Sequence, residues 1–323
     1  MFSLVQKRRW FFLLSGSVIA VGLIIMIYSL LTTGSLFPLS NDFVGGSIYE
    51  VRFREPGASE AAIRDVFERY QQSDITIQRL GDPEEQRWSI RAGFQEQAVV
   101  ERIISDLSAI APIDMDSLRI EQVSETVGAE VTRAALFAVL LSTLVVTGFI
   151  VIAFRSVPKA LRYGICAIVA MFHDVLVVAG VMSLAGLLLG WEVDALFLTA
   201  VLTVVGFSVQ DTIVMFDRIR ENIPKYLGEP YETIVNRSIL ETIHRSFATQ
   251  LNAFFIMIAI LLFGGDSIKQ FIAILFIGLV TGTYSSVFIA VPLLVAWEKG
   301  EIPFISKKHP AAVTTSPAGE NAG

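Results

Sequence analysis

Apolar residues in this chain gather into long runs instead of alternating with polar ones. Six runs are long enough to cross a bilayer, which takes roughly 20 predominantly apolar residues at about 1.5 Å of rise each. They cover residues 10–31, 131–154, 161–189, 195–216, 247–263 and 271–297. Between the first two the pattern changes period. Residues 47–53 alternate as a strand, with Ile48, Glu50 and Arg52 set against Tyr49, Val51 and Phe53, and residues 58–70 place Ala62, Val66, Phe67 and Tyr70 on one helical stripe. Residues 74–80 and 87–91 read as two strands joined across the turn Gly81-Asp82-Pro83-Glu84. An amphipathic helix over 96–110, through Val99, Val100, Ile103, Ile104 and Leu107, and a strand over 117–123 complete a βαββαβ order, the ferredoxin-like motif. The predicted fold is a polytopic α-helical membrane protein of six transmembrane helices, with one ferredoxin-like α+β extracytoplasmic domain between spans one and two.

Charge orients the spans. Lys and Arg cluster beside alternate span ends, at Lys7-Arg8-Arg9, Arg155 to Arg162, Arg218 to Arg245 and Lys299 to Lys308, while the short loops on the other side hold only Lys269. The positive-inside rule then places both termini in the cytoplasm. The first run follows Lys7-Arg8-Arg9 but is too long for a signal-peptide core and lacks an A-x-A-like site, so it reads as an uncleaved anchor. The chain divides into residues 1–34 (N-terminus and first span), 35–130 (exported domain), 131–298 (spans two to six, with a cytoplasmic loop over 217–246) and 299–323 (a disordered cytoplasmic tail). Within that loop, Ile234, Val235, Ile239 and Ile243 have helical spacing and read as an interfacial helix over 231–244.

Composition narrows the function. The chain is 53% apolar and 17% charged, against about 45–50% and about 25% for a soluble protein, so lipid is its surroundings. The exported segment holds 18 acidic residues and nine arginines without a lysine, which excludes nucleic acid as a partner of that face. One cysteine, Cys166, rules out an internal disulfide, and His173, His244 and His309 lack metal-ligand spacing. No P-loop and no nucleophile–base set emerges, so neither a cofactor nor an enzyme is expected.

The chemistry lies in polar residues inside the spans, where a charge costs at least ~2.5 kcal/mol and marks a bundle interior or a water-filled path. His173-Asp174 falls in the third run. Asp211 falls in the fourth, among Ser208, Gln210 and Thr212, and Arg245 opens the fifth, followed by Thr249, Gln250 and Asn252 on one polar face. One reading is an ion path in which Asp211 takes and releases a proton while Arg245 sets its affinity; the other is interhelical glue, with Arg245 an interfacial anchor. Asp217-Arg218 at the end of the fourth run reads as membrane anchoring. Gly206, Gly278, Gly282 and Ser285-Ser286 form a small-residue face suited to close helix packing.

The run from Gly206 through Gln210-Asp211-Thr212 to Asp217-Arg218 and Asn222, with Asp42-Phe43-Val44-Gly45-Gly46-Ser47 before the exported domain and Val127-Gly128 before the second span, resembles the SecF family of the bacterial and archaeal protein-export machinery. His173-Asp174 and residues 242–246 sit where the family has comparable residues. The resemblance implies half of a pseudo-symmetric transporter of the resistance-nodulation-division type, completed by SecD. It implies use of the proton motive force, or of sodium, to assist preprotein export through SecYEG after SecA has pushed, with YidC or YajC as further partners. It also places proton coupling on Asp211 and Arg245, with His173, Asp174, Gln210 and Thr212 in support. Phe207, Gln210 and Ala129 depart from the family's usual Tyr, Asn and Pro. Two other classes remain open at this point: half of a small-molecule or lipid transporter, and a structural translocon scaffold.

Overall fold

The computed structural model describes residues 4–72, 75–155 and 159–301. The tail read as disordered, with Lys307, Lys308 and His309, and Asp74 at the start of the second strand lie outside the described residues. After a turn of 3₁₀ helix, α1 (Arg8–Thr33) leads through the short α2 (Asn41–Val44) into the sheet domain: β1 (Gly46–Arg52), α3 (Glu60–Glu68), β2 (Thr76–Leu80), β3 (Arg87–Ala92), α4 (Gln97–Ile110) and β4 (Arg119–Val123). The bundle follows as α5 (Glu125–Ala153), α6 (Ala160–Leu189), α7 (Ala195–Lys225), α8 (Tyr231–Phe263), α9 (Asp266–Ser285) and α10 (Val291–Glu298). Six helices among the described residues are long and apolar enough to span a membrane, with α9 and α10 making the sixth together.

The sheet is antiparallel throughout, in the order β2-β3-β1-β4, as the ferredoxin-like motif requires. Alternation gives it two unlike faces. Tyr49, Val51, Trp88 and Ile90 meet Ile63, Phe67, Ile103 and Leu107 of α3 and α4 in a closed core. The other face carries Glu50, Arg52, Arg87 and Arg119, which line a hollow of 540 Å³ shared with Gly265 between α8 and α9. The polar face of the sheet therefore looks toward the membrane helices. Serines start the helices around it: Ser40, Ser59 and Ser124 each accept a backbone N–H from the first turn of α2, α3 and α5.

In the bundle α6, α7 and the sixth span are the most enclosed, with α1, α5 and α8 outside them. Small residues bring helices together. A Cβ on Gly278 would lie 2.2 Å from Val204 of α7, and one on Gly180 of α6 would lie 2.8 Å from the Gly22 Cα of α1. Gly206, expected on the packing face, has open space around it; it points outward, because α7 buries Val204, Ser208 and Asp211 instead. Pro292 lacks the N–H that would bond the carbonyl four residues back, and the chain just before it, Ser286–Ala290, widens into π-helix.

Two expectations are corrected. Residues 217–246 are not an open loop with a surface helix: α7 runs on to Lys225, and residues 231–244 are the first half of α8, unbroken into the fifth span. No Gly or Pro interrupts residues 231–263, and Ile234, Val235 and Ile239 are buried; Val235 and Ile239 join the cluster around Val5, Phe216 and Ile219. The stripe read as membrane-facing is a packing face. On the same side of the molecule Arg8, itself buried, pairs with Glu232 at 2.7 Å and Glu301 at 2.6 Å, and Lys299 pairs with Glu232 at 2.6 Å.

Gly278→Ala drives a methyl into the branched side chain of Val204 and is expected to lower stability by about 1–3 kcal/mol, offset by up to ~1 kcal/mol of helix propensity. Gly206→Ala gains the propensity without the clash. Thermal unfolding of both purified variants in detergent checks the contrast.

Candidate functional site

Asp211 lies near the middle of α7 on its buried side, 8% exposed. Its carboxylate Oδ2 accepts a hydrogen bond of 2.8 Å from Nε2 of Gln250 on α8. Gln250 is 2% exposed, and its Oε1 is buried without a hydrogen-bond partner. Thr242, Ser246 and Gln250 repeat every four residues and are buried, which turns them together toward α7. Thr249 and Asn252, expected on the same polar face, are exposed; they sit about 100° and 200° around the helix from Gln250.

Arg245 forms no ion pair with Asp211 among the described residues; its charge acts on the carboxylate through space. It lies exposed at a cleft of 330 Å³ lined by Val214, Asp217, Arg218, Glu221, Glu241 and Thr242, where the arms of α7 and α8 run side by side. Arg218, read as an anchor, is committed here: it donates to Glu241 at 2.6 Å and to Glu221 at 2.8 Å, and Asp217 pairs with Arg220 at 2.6 Å. Asn222 completes the crossing by donating to Ser238 and Glu241. The cleft begins one turn beyond Asp211, on the side away from the sheet domain.

A second centre surrounds Asp174, fully buried on α6. Ser208 of α7 and Ser285 of α9 donate to its Oδ2 at 2.6 and 2.7 Å, and His173 Nδ1 lies 3.0 Å from its Oδ1. Ser286 donates to the Ser208 carbonyl at 3.1 Å and lies 2.9 Å from the Thr212 hydroxyl. His173 stacks on Tyr284, which reaches Ser15 of α1 at 3.1 Å. Thr212 thus serves the Asp174 cluster, while Gln210, expected beside Asp211, is exposed on the opposite side of α7.

The other end of α7 meets the sheet domain. Asp194 caps the helix by accepting from Phe197 N at 2.7 Å, and Asp42 Oδ2 accepts from Ala195 N at 3.0 Å. Burial, and then the charge of Asp42, hold the Asp194 carboxyl above the usual carboxylate range, against the bond from Phe197. Phe43 is buried with Met182, Phe197 and Ile274. Gly45, at φ +82°, passes so close to α5 that a Cβ would lie 2.8 Å from the Glu125 Cα, and one on Gly128 would lie 2.8 Å from the Phe43 carbonyl. The 42–46 and 127–128 motifs are therefore two sides of one joint, with Gly46 opening β1 beyond it. Backbone bonds Ser40 N to Val193 O (2.9 Å) and Val193 N to Pro38 O (2.8 Å) tie the joint to the segment before α7. From the sheet, Arg91 forks onto Glu192 of that segment.

The sequence singled out Asp211, Arg245 and the His173-Asp174 pair. It did not single out Gln250 as the direct partner of Asp211, nor Ser208 and Ser285 as the donors to Asp174. Hydroxyls recurring in apolar runs that also contain a carboxylate were the available signal.

Residues 103–300 match the family described as "Protein export membrane protein SecD/SecF, C-terminal". The chain is 43% identical over 303 residues to the protein translocase subunit SecF of Anaerolinea thermophila, covering 93% of this chain and 96% of that one. It is 38% identical over 332 residues to the SecF subunit of Thermobaculum terrenum, covering 98% and 100%. Its structure is similar to that of SecDF, a translocon-associated membrane protein from Thermus thermophilus, with a TM-score of 0.73 at 28% identity. That likeness covers 92% of this chain but 39% of SecDF.

Asp42→Ala removes an acceptor at the start of α7 and is expected to lower stability by about 0.5–2 kcal/mol, with Asp42→Asn largely retaining it, as read by thermal unfolding. For Asp194 the folded pKa stands above the unfolded one. The stability linked to its proton is therefore present at acid pH and lost as pH rises through the folded value. Asp194→Asn should flatten that fall in melting temperature.

Proposed function

The chain belongs to the SecF family of protein translocase subunits, and from that premise we propose that it uses the proton motive force to assist SecA-driven preprotein export through SecYEG. Its role in Sec-pathway translocation and its multi-pass membrane character follow from the family and the six spanning helices. The finer reading rests on one observation: a single helix, α7, carries the buried Asp211 at mid-length and at one end donates its first backbone N–H to Asp42, the residue that leads into the sheet domain.

A change of charge on Asp211 alters how α7 packs against α8. Any shift of α7 along its axis is passed to the joint at residues 42–46 and to Glu192, which Arg91 of the sheet grips. In this reading both termini and the 330 Å³ cleft face the cytoplasm, the sheet domain faces outward, and the exported chain moves past it. The cleft provides the route by which protons leave Asp211, with Arg245 at its mouth repelling other cations and favouring the ionised carboxylate.

Exposed polar groups within the spans support a second half-bundle as partner. Gln210 of α7 and Thr249 and Asn252 of α8 are exposed at membrane depth, where lipid leaves an amide unpaired at a cost of several kcal/mol. SecD is the partner that SecDF suggests, and YidC or YajC would join the same assembly. The Asp174 cluster, closed and fully satisfied, we read as holding α6, α7 and α9 together.

Export of a test preprotein into sealed vesicles carrying SecYEG, SecA and SecD provides the check. Asp211→Asn should still copurify with SecD but lose the boost from a proton gradient. If export stays gradient-stimulated, Asp211 is structural glue and the scaffold reading replaces this one; if only a sodium gradient supports the wild type, the coupling ion is sodium.

A further inference from the structure

Gln250 stands closer to the chemistry of Asp211 than Arg245 does. Its Nε2 donates to Oδ2 at 2.8 Å, whereas Arg245 makes no ion pair with that carboxylate among the described residues. The amide is also half-used: Oε1 is buried and has no hydrogen-bond partner. A primary amide carries two donors on one atom and an acceptor on the other, and a half-turn about its terminal bond exchanges them without moving the stem.

We infer that Gln250 is the positioning residue for the Asp211 proton, donating through Nε2 to the ionised carboxylate and, after a half-turn of its amide, accepting through Oε1 from the protonated acid. This rests on the proton-coupling reading of Asp211. The protonated acid has one O–H to donate and the ionised form only accepts, so a fixed donor such as Arg or Lys in this position would favour the ionised state alone. An amide offers the carboxyl a partner in either protonation state, at the cost of leaving its own other polar atom unpaired, as Oε1 is here. The half-turn keeps the Asp211–Gln250 contact made while the proton arrives, so any shift of α7 against α8 follows from the change of charge and not from loss of this bond.

Most other ionisable groups on the elements packed around Asp211 are engaged elsewhere, and His244 of α8 is exposed, six residues before Gln250. On α6, His173 and Asp174 are bound to each other and to Ser208 and Ser285. On α7, Asp217 pairs with Arg220, and Arg218 with Glu221; on α8, Glu241 pairs with Arg218. Tyr284 of α9 faces His173 and Ser15, and Glu298 of α10 is held by Lys159 and Arg162. Glu125, Glu130 and Arg133 of α5 lie in its first turns, at the sheet-domain end. Among the described residues, Arg245 is the charged group whose field reaches Asp211, without an ion pair between them.

The test uses the full chain reconstituted with SecD, SecYEG and SecA, and compares wild type, Gln250→Met and Gln250→Asn. Met keeps the length and removes both hydrogen-bonding roles. A bond to a charged group is worth about twice a neutral one. Its loss in Gln250→Met therefore moves the pH at half-maximal gradient-stimulated export upward by about one unit. Infrared difference spectra give an independent readout. The protonated carboxyl C=O band that Asp211→Asn abolishes shifts to higher frequency in Gln250→Met, and Gln250→Asn, which keeps an amide on a shorter stem, falls between the two. An unmoved pH midpoint and an unmoved band in both variants overturn the inference while leaving the coupling reading intact. Gradient stimulation that survives Asp211→Asn overturns the coupling reading itself.

Discussion

Hydrocarbon supplies no hydrogen bonds, so every polar group inside the spans must find its partner within protein. That constraint orders this bundle. Asp174 is met by two serines and a histidine from three helices, and these contacts draw α6, α7 and α9 into the enclosed centre. Gly278 and Gly282 let α9 approach closely enough for the serine hydroxyls to reach. The widened turn at Ser286–Ala290 sets Ser285 and Ser286 at the place where the helix is least regular. Asp211, by contrast, has one partner and an open cleft nearby. Two carboxylates on adjacent helices are thus treated in opposite ways, one fully closed and one left with room to change.

The six spans and the βαββαβ order were legible because each is written locally, in run length or in period. The helical arms beyond the fourth and before the fifth span were not. An amphipathic stripe such as Ile234, Val235 and Ile239 is the same whether a helix rests on lipid or on its neighbour, and the charge of Arg245 ended the apolar run before the helix itself had begun to fray. Only the absence of Gly and Pro over residues 231–263 pointed to a continuous helix.

The site was half legible. A carboxylate in an apolar run announces itself, so Asp211 and Asp174 stood out. Gln250 sat between Thr249 and Asn252 and passed as one of a polar trio, although the 3.6-residue turn puts it on a different face. Asp42 was visible only as part of a motif. Its bond to Ala195, 153 positions away, belongs to tertiary structure and is written nowhere in the neighbouring residues. The same holds for Arg91 and Glu192.

The ion pairs of Arg8 with Glu232 and Glu301 join residues 224 and 293 positions apart. Spans that enter a membrane one after another cannot make such contacts in order. Glu232 stands at the start of α8 and is available before the last span, whereas Glu301 follows that span and reaches Arg8 only when its end turns back beside the first helix. Loop closure of that length is slow and is rewarded only at the finish. A chain truncated before residue 299 would keep all six apolar runs and the Arg8–Glu232 pair yet lack Lys299 and Glu301, leaving the arginine with one of its two carboxylates.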